Sequence, residues 1–599
     1  MKYPLVGLFA ALCGLSFFTG AAAAPLAELE AAAASSPEDF GKVFDNADRA
    51  PGSPDARAMT QEQLRQTMLA DLDSIKNIFE ARYAPAGWKG ELNGWDLDAE
   101  MQKAREAVNA MPEPSVKEYQ KIVKRLFAST QDYHVSVSFH STEMASLPIG
   151  ITESGGRYYI SGINRKLLPE SSFPYKVGDE ITVFDGKPAA EAVAERMAAA
   201  GMNNVPGADR AMAASLLRFR GGMLGDTVPT GPVKLEIKPA GAALAVPVEL
   251  NWSYVPELIA PQPFLSKGAR RALPLDWLSV MYADPLAAAA GPVAAGHGMG
   301  DREGPLPDLG EKVWQAPADS LFRAYVYRNP ADGRNTGYVR IASYMVEDPD
   351  AMVRDFSRLV AELERRSDRL VIDQLNNPGG IVFYLYALAS MLTDAPLAVP
   401  AHSITLTPAD VASAISFVTE TAQMKTEAQA KEALGETLAG YPVSLELLTG
   451  MRAQSAAVIG QWNEGKVLTD PLPLFGLAAV KPAYGARYTK PIMILTNERD
   501  MSGGDFFPAI MQDNRRAVTF GARTGGAGGV VKKYKYQNSL LGMDEFNLTE
   551  TIAYRPGGQP IESLGVTPDI PYAVQPGDLQ AGFRAYAAAV NAAAAGLTR

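Results

Sequence analysis

The spacing of apolar and polar positions divides the chain into stretches of different period. Between Thr60 and Phe127, in "QLRQTMLADLDSIKNIFEARY" and "VKEYQKIVKRLF", apolar residues return every three or four positions, which predicts two to four amphipathic helices. From His134, "HVSVSFH" alternates as a strand does. Over 146–263 the expected elements are strands and turns. "PIGITESGGRYYISGI" predicts a hairpin turning at Gly155-Gly156, and "EITVFDGKPAAEAVAERM" a strand, a turn at Asp185-Gly186 and a helix. "VKLEIKPAGAALAVPVELNW" predicts a closing hairpin. The stretch 264–312 is rich in Ala, Gly and Pro, has no sustained period and reads as an insert. From 313 onward strands and helices alternate: "NTGYVRIASY", then "AMVRDFSRLVAELERRS", "RLVIDQL", "VFYLYALASMLT" and "KPIMILTN", with 405–470 as a mostly helical excursion. This grammar predicts a mixed, multidomain α/β protein. Its parts would be a helical N-terminal region (25–145) ending in the His134 strand or loop, a β-rich unit (146–263), the insert, and a layered α/β core (313–599).

Composition narrows the function classes. The chain has 599 residues, too many for one ordinary core, and its 47% hydrophobic and 21% charged residues are those of a globular protein. A net charge of −11 with no basic run argues against a nucleic-acid partner. Lys2, the apolar run Leu5 to Phe18 and "TGAAAAP" read as a bacterial-type signal peptide over 1–24, which predicts a secreted or periplasmic protein. That run is short for a bilayer span, and none is expected elsewhere. Cys13, the single cysteine, lies inside it, so the mature chain is expected to have no disulfide, no thiol nucleophile and no thiolate metal site.

The candidate chemistry centres on "RDMSGGDFFPAI". Ser502 stands where a strand hands over to a helix. One reading makes it a helix cap, with Asp505 completing a loose capping box. That leaves Gly503 and Gly504 unexplained, because glycine costs backbone entropy at a helix start. They make sense if an oxyanion must approach the backbone, since a helix N-terminus offers free N–H groups and about half a positive charge. "NNPGG", residues 376–380, follows a buried strand and places Gly379 and Gly380 at its C-terminal end. Two N–H donors from two such loops would form an oxyanion hole, at ~2.7–4 kcal/mol per donor. The base is open between four histidines. His297 falls in the insert, His402 reads as a surface residue, and His134 and His140 would share one face at period-two spacing. Asp132 could orient His134. A lysine is the other candidate base.

The blocks "VIDQLNNPGG", "TNERDMSGGDFFPAIMQDNRRAVTFGARTGGAGG" and "GGQPIESLGVTPDI" resemble, in order, those of the C-terminal-processing, or tail-specific, serine protease family. The resemblance implies a PDZ domain joined to a crotonase-like α/β core, and "VGDEITVFDGKPA" is similar to a PDZ block. The segment from Ala199 to Thr230 is longer than a PDZ domain needs. The family's Ser–Lys members carry lysine in "T-F-G-K-G", where this chain reads "TGGAGG" with Ala527 at the lysine position. "DYHVSVSF", "NNPGGIVFYLYALASMLTDAPL" and "IESLGVTP" resemble more fully the branch that contains the chlamydial protease-like activity factor. That branch implies Ser502 as nucleophile, His134 as general base and Glu562 as orienting acid, without cofactor or metal. It further implies protein or peptide substrates, a homodimer, and a zymogen matured by self-cleavage in an internal segment. The insert, with Arg270-Arg271, occupies the corresponding place. A non-catalytic PDZ-bearing scaffold and an acyl-CoA enzyme on the related core are the alternatives.

Overall fold

The computed structural model describes residues 59–257, 302–536 and 540–597. The predicted signal peptide, Cys13, Arg270-Arg271, His297 and most of the insert lie outside the described residues.

The N-terminal region forms four helices, α1 (Gln61–Arg82), α2 (Ala86–Asn93), α3 (Leu97–Ala110) and α4 (Val116–Ala128). Side chains of Thr60, Asp96 and Ser115 cap α1, α3 and α4, accepting backbone N–H groups that the first turn leaves unpaired. Their apolar stripes meet in one cluster: Met68, Leu72, Phe79, Met101, Val123 and Phe127 among others. After α4 comes a loop, then a short strand, β1 (Ser136–Phe139). His134 and His140 both lie outside this strand, so the period-two argument for a shared face does not apply.

A five-strand antiparallel path follows, in the order β2 (Ile149–Ser154), β3 (Arg157–Ile163), β4 (Glu180–Phe184), β5 (Pro232–Lys238), β6 (Val246–Asn251). Between β4 and β5 lie helices α5 (Ala189–Ala200) and α6 (Pro206–Leu216).

The core sheet has seven strands: β7 (Glu311–Gln315), β8 (Ala324–Arg328), β9 (Asn335–Arg340), β10 (Arg369–Asp373), β11 (Ile492–Thr496), β12 (Ala517–Gly521) and β15 (Ile570–Pro571). The chain enters antiparallel through β7, β8 and β9, and from β9 to β15 neighbours are parallel. Parallel strands need crossovers, here α7 (Pro349–Arg366) and α8 (Val382–Ser390), and, beyond the excursion α9 (Pro408–Thr421), α10 (Glu427–Leu434) and α11 (Leu445–Asn463), α12 (Gly503–Asp513). β10 and β11 are buried at every residue, which is why their centres, Leu370–Ile372 and Ile492–Leu495, read as apolar runs without alternation. Leu370, Ile372, Ile492 and Ile494 face α7, α8 and α12. Val371, Met493 and Leu495 face the C-terminal helix α13 (Arg584–Ala595).

A separate hairpin of β13 (Val531–Lys535) and β14 (Met543–Thr549) takes β1 as its third strand, pairing Ser136 with Asn547 and Val137 with Phe546. This pairing carries the His134 loop from the N-terminal region onto the far end of the core.

Candidate active site

Ser502 is the N-cap of α12, as the capping reading expects, yet its side chain makes no cap hydrogen bond. Its backbone sits at φ 53°, ψ −115°. A serine with positive φ is strained by ~1–3 kcal/mol, and such strain persists only where surrounding structure enforces it. That enforcement is visible. Asp500, fully buried, accepts from the N–H groups of Asn377 (2.8 Å) and Asn497 (3.0 Å), and Met501 N donates to Asn377 O (2.9 Å). The "NNPGG" turn and the serine turn are thereby tied together. Within α12, Pro508 leaves the Gly504 carbonyl without its helical donor, and Gln374 Nε2 takes its place at 2.8 Å.

The two glycine pairs meet at this junction. A Cβ on Gly379 would lie 2.7 Å from Ser502 Cβ and 2.6 Å from the Gly503 nitrogen. The Gly379 N–H is used, donating to Asn377 Oδ1 at 2.8 Å. The N–H groups of Gly380 and Gly503 have no acceptor among the described residues.

Around His134 a second, buried group of charges gathers. His134 is 6% exposed, and its Nδ1 has no hydrogen-bond partner among the described residues. Asp132 accepts from the His134 backbone N–H (2.8 Å) and from Thr549 Oγ1 (2.8 Å), so this carboxylate holds the loop. Glu562 is fully buried and accepts from Lys89 Nζ (2.6 Å) and Gly528 N (2.8 Å); no hydrogen bond joins it to His134 among the described residues. Burial lowers the His134 pKa, Asp132 raises it and Lys89 lowers it further. Burial raises that of Glu562, the Asp132 charge adds to this, and Lys89 opposes both.

One loop links the two groups. Asp505, in the first turn of α12, accepts from the N–H groups of Gly526 (2.8 Å) and Ala527 (3.0 Å) and from the Thr524 hydroxyl. The same loop ends in Gly528, on Glu562. Its Gly525 and Gly526 carbonyls accept from Asn203 Nδ2 (2.9 and 2.6 Å), and Asn203 Oδ1 accepts from Tyr133 N (3.3 Å), beside His134. Ala527 is 1% exposed and belongs to the apolar cluster that also holds Tyr133, Met202 and Met501.

The other histidines separate. His140 stands 3.6 Å from Asp544, away from these groups. His402 is buried, contrary to the surface reading. Its Nδ1 contacts Thr551 Oγ1 at 2.9 Å, its ring stacks on Phe506, and burial lowers its pKa to about 3.

A model of peptidase family S41 matches residues 335–572, and a PDZ domain model matches 143–260. A Chlamydia muridarum protein described as uncharacterized is 33% identical over 557 residues, 87% of this chain and 90% of its own length. The chain belongs to peptidase family S41. The structure of mature CPAF complexed with lactacystin is 30% identical, covers 88% of this chain and 98% of its own, and superposes with a TM-score of 0.76. A carboxy-terminal-processing protease from Bartonella bacilliformis is 32% identical over 84 residues, 14% of this chain and 18% of its own length. This S41 chain is thus a serine-type peptidase with a PDZ domain and a crotonase-like core.

Two residues at the site escaped sequence reasoning. Lys89 belongs to "GWKGEL", in a helix too short to show a period. Asn203 lies in the stretch from Ala199 to Thr230 that exceeds what a PDZ domain needs; that surplus length was the signal.

Proposed function

We propose that this S41 chain is a secreted or periplasmic endopeptidase that cleaves protein substrates through an acyl-enzyme. Ser502 Oγ attacks the scissile carbonyl, His134 takes its proton and returns it to the leaving amine, and Glu562 stabilises the imidazolium, directly or through a water. The N–H groups of Gly380 and Gly503 hold the oxyanion. The observation that carries the reading is the pairing of a strained serine, free of any capping bond, with two unused N–H donors at a helix N-terminus. Lys89 is a poor base: its ammonium already donates to Glu562, to Gln131 O (2.5 Å) and to Ser563 Oγ (2.7 Å). Because the His134 pKa is lowered, its neutral, proton-accepting form persists below pH ~6.5, and kcat/KM falls only as pH drops through that lowered value.

The chain is further read as a homodimeric zymogen, matured by self-cleavage within 264–312. The similarity to mature CPAF supports this reading. The test is a fluorophosphonate label on purified protein with Ser502→Ala beside it. Labelling of Ser502 together with cleavage of an unfolded protein substrate, both lost in the variant, supports the peptidase. Absence of both in the wild type favours the scaffold. Identical fragmentation of the two proteins on storage sinks self-processing.

A further inference from the structure

We propose that Lys89 is a positioning residue for the reaction: its ammonium holds the Glu562 carboxylate in place. The inference rests on the role given to Glu562 above.

A fully buried lysine is rare, because moving an ammonium out of water costs several kcal/mol unless it is well paired. Lys89 is 0% exposed and its three N–H donors have three acceptors: Glu562 Oε1, Gln131 O and Ser563 Oγ. The last two are not incidental. Gln131 (φ 48°) directly precedes Asp132, and Ser563 (φ 61°) directly follows Glu562. Both are non-glycine residues in the left-handed region, where holding a side-chain-bearing residue costs ~1–3 kcal/mol. Lys89 fastens both strained loops, and they in turn leave its third N–H aimed at the carboxylate. Next to it, Trp88 Nε1 donates to the Glu562 carbonyl at 2.9 Å, so helix α2 grips this residue by main chain and side chain together.

The charge balance gives the grip a chemical purpose. The titratable groups acting on the imidazole are Asp132 on its own loop and Lys89 from α2; Glu562 on the C-terminal loop and the buried Tyr83 hydroxyl adjoin Asp132. Asp505 stands behind the 524–528 loop. Burial and the neighbouring Asp132 charge push the Glu562 carboxyl up to about 7, and Lys89 opposes both. Lys89 thus favours the charged form of Glu562 for the step in which the imidazolium forms.

The test compares Lys89→Gln, which retains a donor but no charge, with Glu562→Gln and with the double variant Lys89→Met/Glu562→Gln, which removes both charges of the pair together. For Lys89→Gln, kcat is expected to fall ~10–100-fold with KM within about twofold. The acid limb of kcat/KM should move to higher pH by half a unit or more, since both Glu562 and His134 bind protons more readily once the cation is gone. The double variant should be no more than about threefold slower than Glu562→Gln alone, because Lys89 acts through Glu562. An unchanged acid limb, an unchanged kcat, or a double variant much slower than Glu562→Gln overturns the proposal. If Lys89→Gln does not fold, the double variant decides. Wild-type turnover in Glu562→Gln would sink the role given to Glu562 itself; impaired Glu562→Gln beside unimpaired Lys89→Gln sinks only the inference about Lys89.

Discussion

Replacing Gly379 with alanine probes the contact between the two loops on which the proposed chemistry depends. The backbone φ of Gly379 is 89°, and an added methyl carbon would lie 2.6 Å from the Gly503 nitrogen, 2.6 Å from the Met501 oxygen and 2.7 Å from Ser502 Cβ. These are main-chain atoms and the β-carbon of Ser502, and none can swing aside. Non-bonded carbon needs about 3.5 Å, so the "NNPGG" turn and the start of α12 must part by roughly 1 Å. A shift of that size at a reacting centre costs about 10²-fold in rate, and loss of one oxyanion donor about 10²–10³-fold. The expected result for Gly379→Ala is a kcat lower by ~10²–10³ with KM little changed. Left-handed strain of ~1–2 kcal/mol should also lower the melting temperature by a few degrees. Gly557→Ala is the control: nothing lies within 4 Å of its added carbon. Turnover of a self-quenched, dye-labelled unfolded protein gives kcat and KM, and the rate of fluorophosphonate labelling reports the nucleophile by itself. A kcat within threefold of wild type, with an unchanged labelling rate, would refute the close approach and the oxyanion site built on it.

Two further outcomes are expected. Asn203→Ala removes the bonds to Tyr133 N and to the Gly525 and Gly526 carbonyls; the Gly526 carbonyl keeps Ser563 N as donor, and loss of the donor to the buried Gly525 carbonyl should cost ~1–3 kcal/mol by chemical denaturation and lower kcat more than it raises KM. Asp226→Asn breaks a buried cluster in which Arg196 Nη1 (2.8 Å) and Lys124 Nζ (2.6 Å) share one carboxylate between α4 and α5, and should destabilise the folded chain by ~3–5 kcal/mol. Burial pushes the Asp226 carboxyl up, but the two cations outweigh it and hold it well below the usual carboxylate range. Lys124 is lowered as well, by burial, and Arg196 adds to this; the carboxylate, facing two cations, is the group whose ionised form folding favours. Its contribution is therefore full above the unfolded value of 3.8 and is lost as pH falls through the folded one, so the gap between wild type and variant should narrow in acid.

What could be read from the residues was what local rules govern. The apolar centre Leu370–Ile372 of "RLVIDQL" lies in a strand buried on both faces, and "AMVRDFSRLVAELERRS" is a helix with one apolar stripe, because those patterns follow from burial. Ser502 and its glycines stood out because a cap needs no such glycines. Family order brought His134 and Glu562 forward, where spacing left the base open. The surroundings of Glu562 were hidden for a physical reason. Lys89 and Asn203 are polar residues that look solvent-exposed by type, and each is buried by partners 473 and 322 or more positions away. Burial of a charge is decided by what the tertiary fold brings to it, and no local period encodes that. His402 is misjudged for the same reason: "VPAHSITLT" looks peripheral, and it is the pairing of residues 401–404 with the 551–554 segment, together with Phe506, that encloses the ring.

The lysine contributed by helix α2 and the carboxylate it grips are 473 positions apart. A chain emerging from the ribosome holds Lys89 and His134 well before it holds Glu562. Any fragment that ends before Glu562 therefore lacks one end of the grip, and with it the proposed catalytic arrangement.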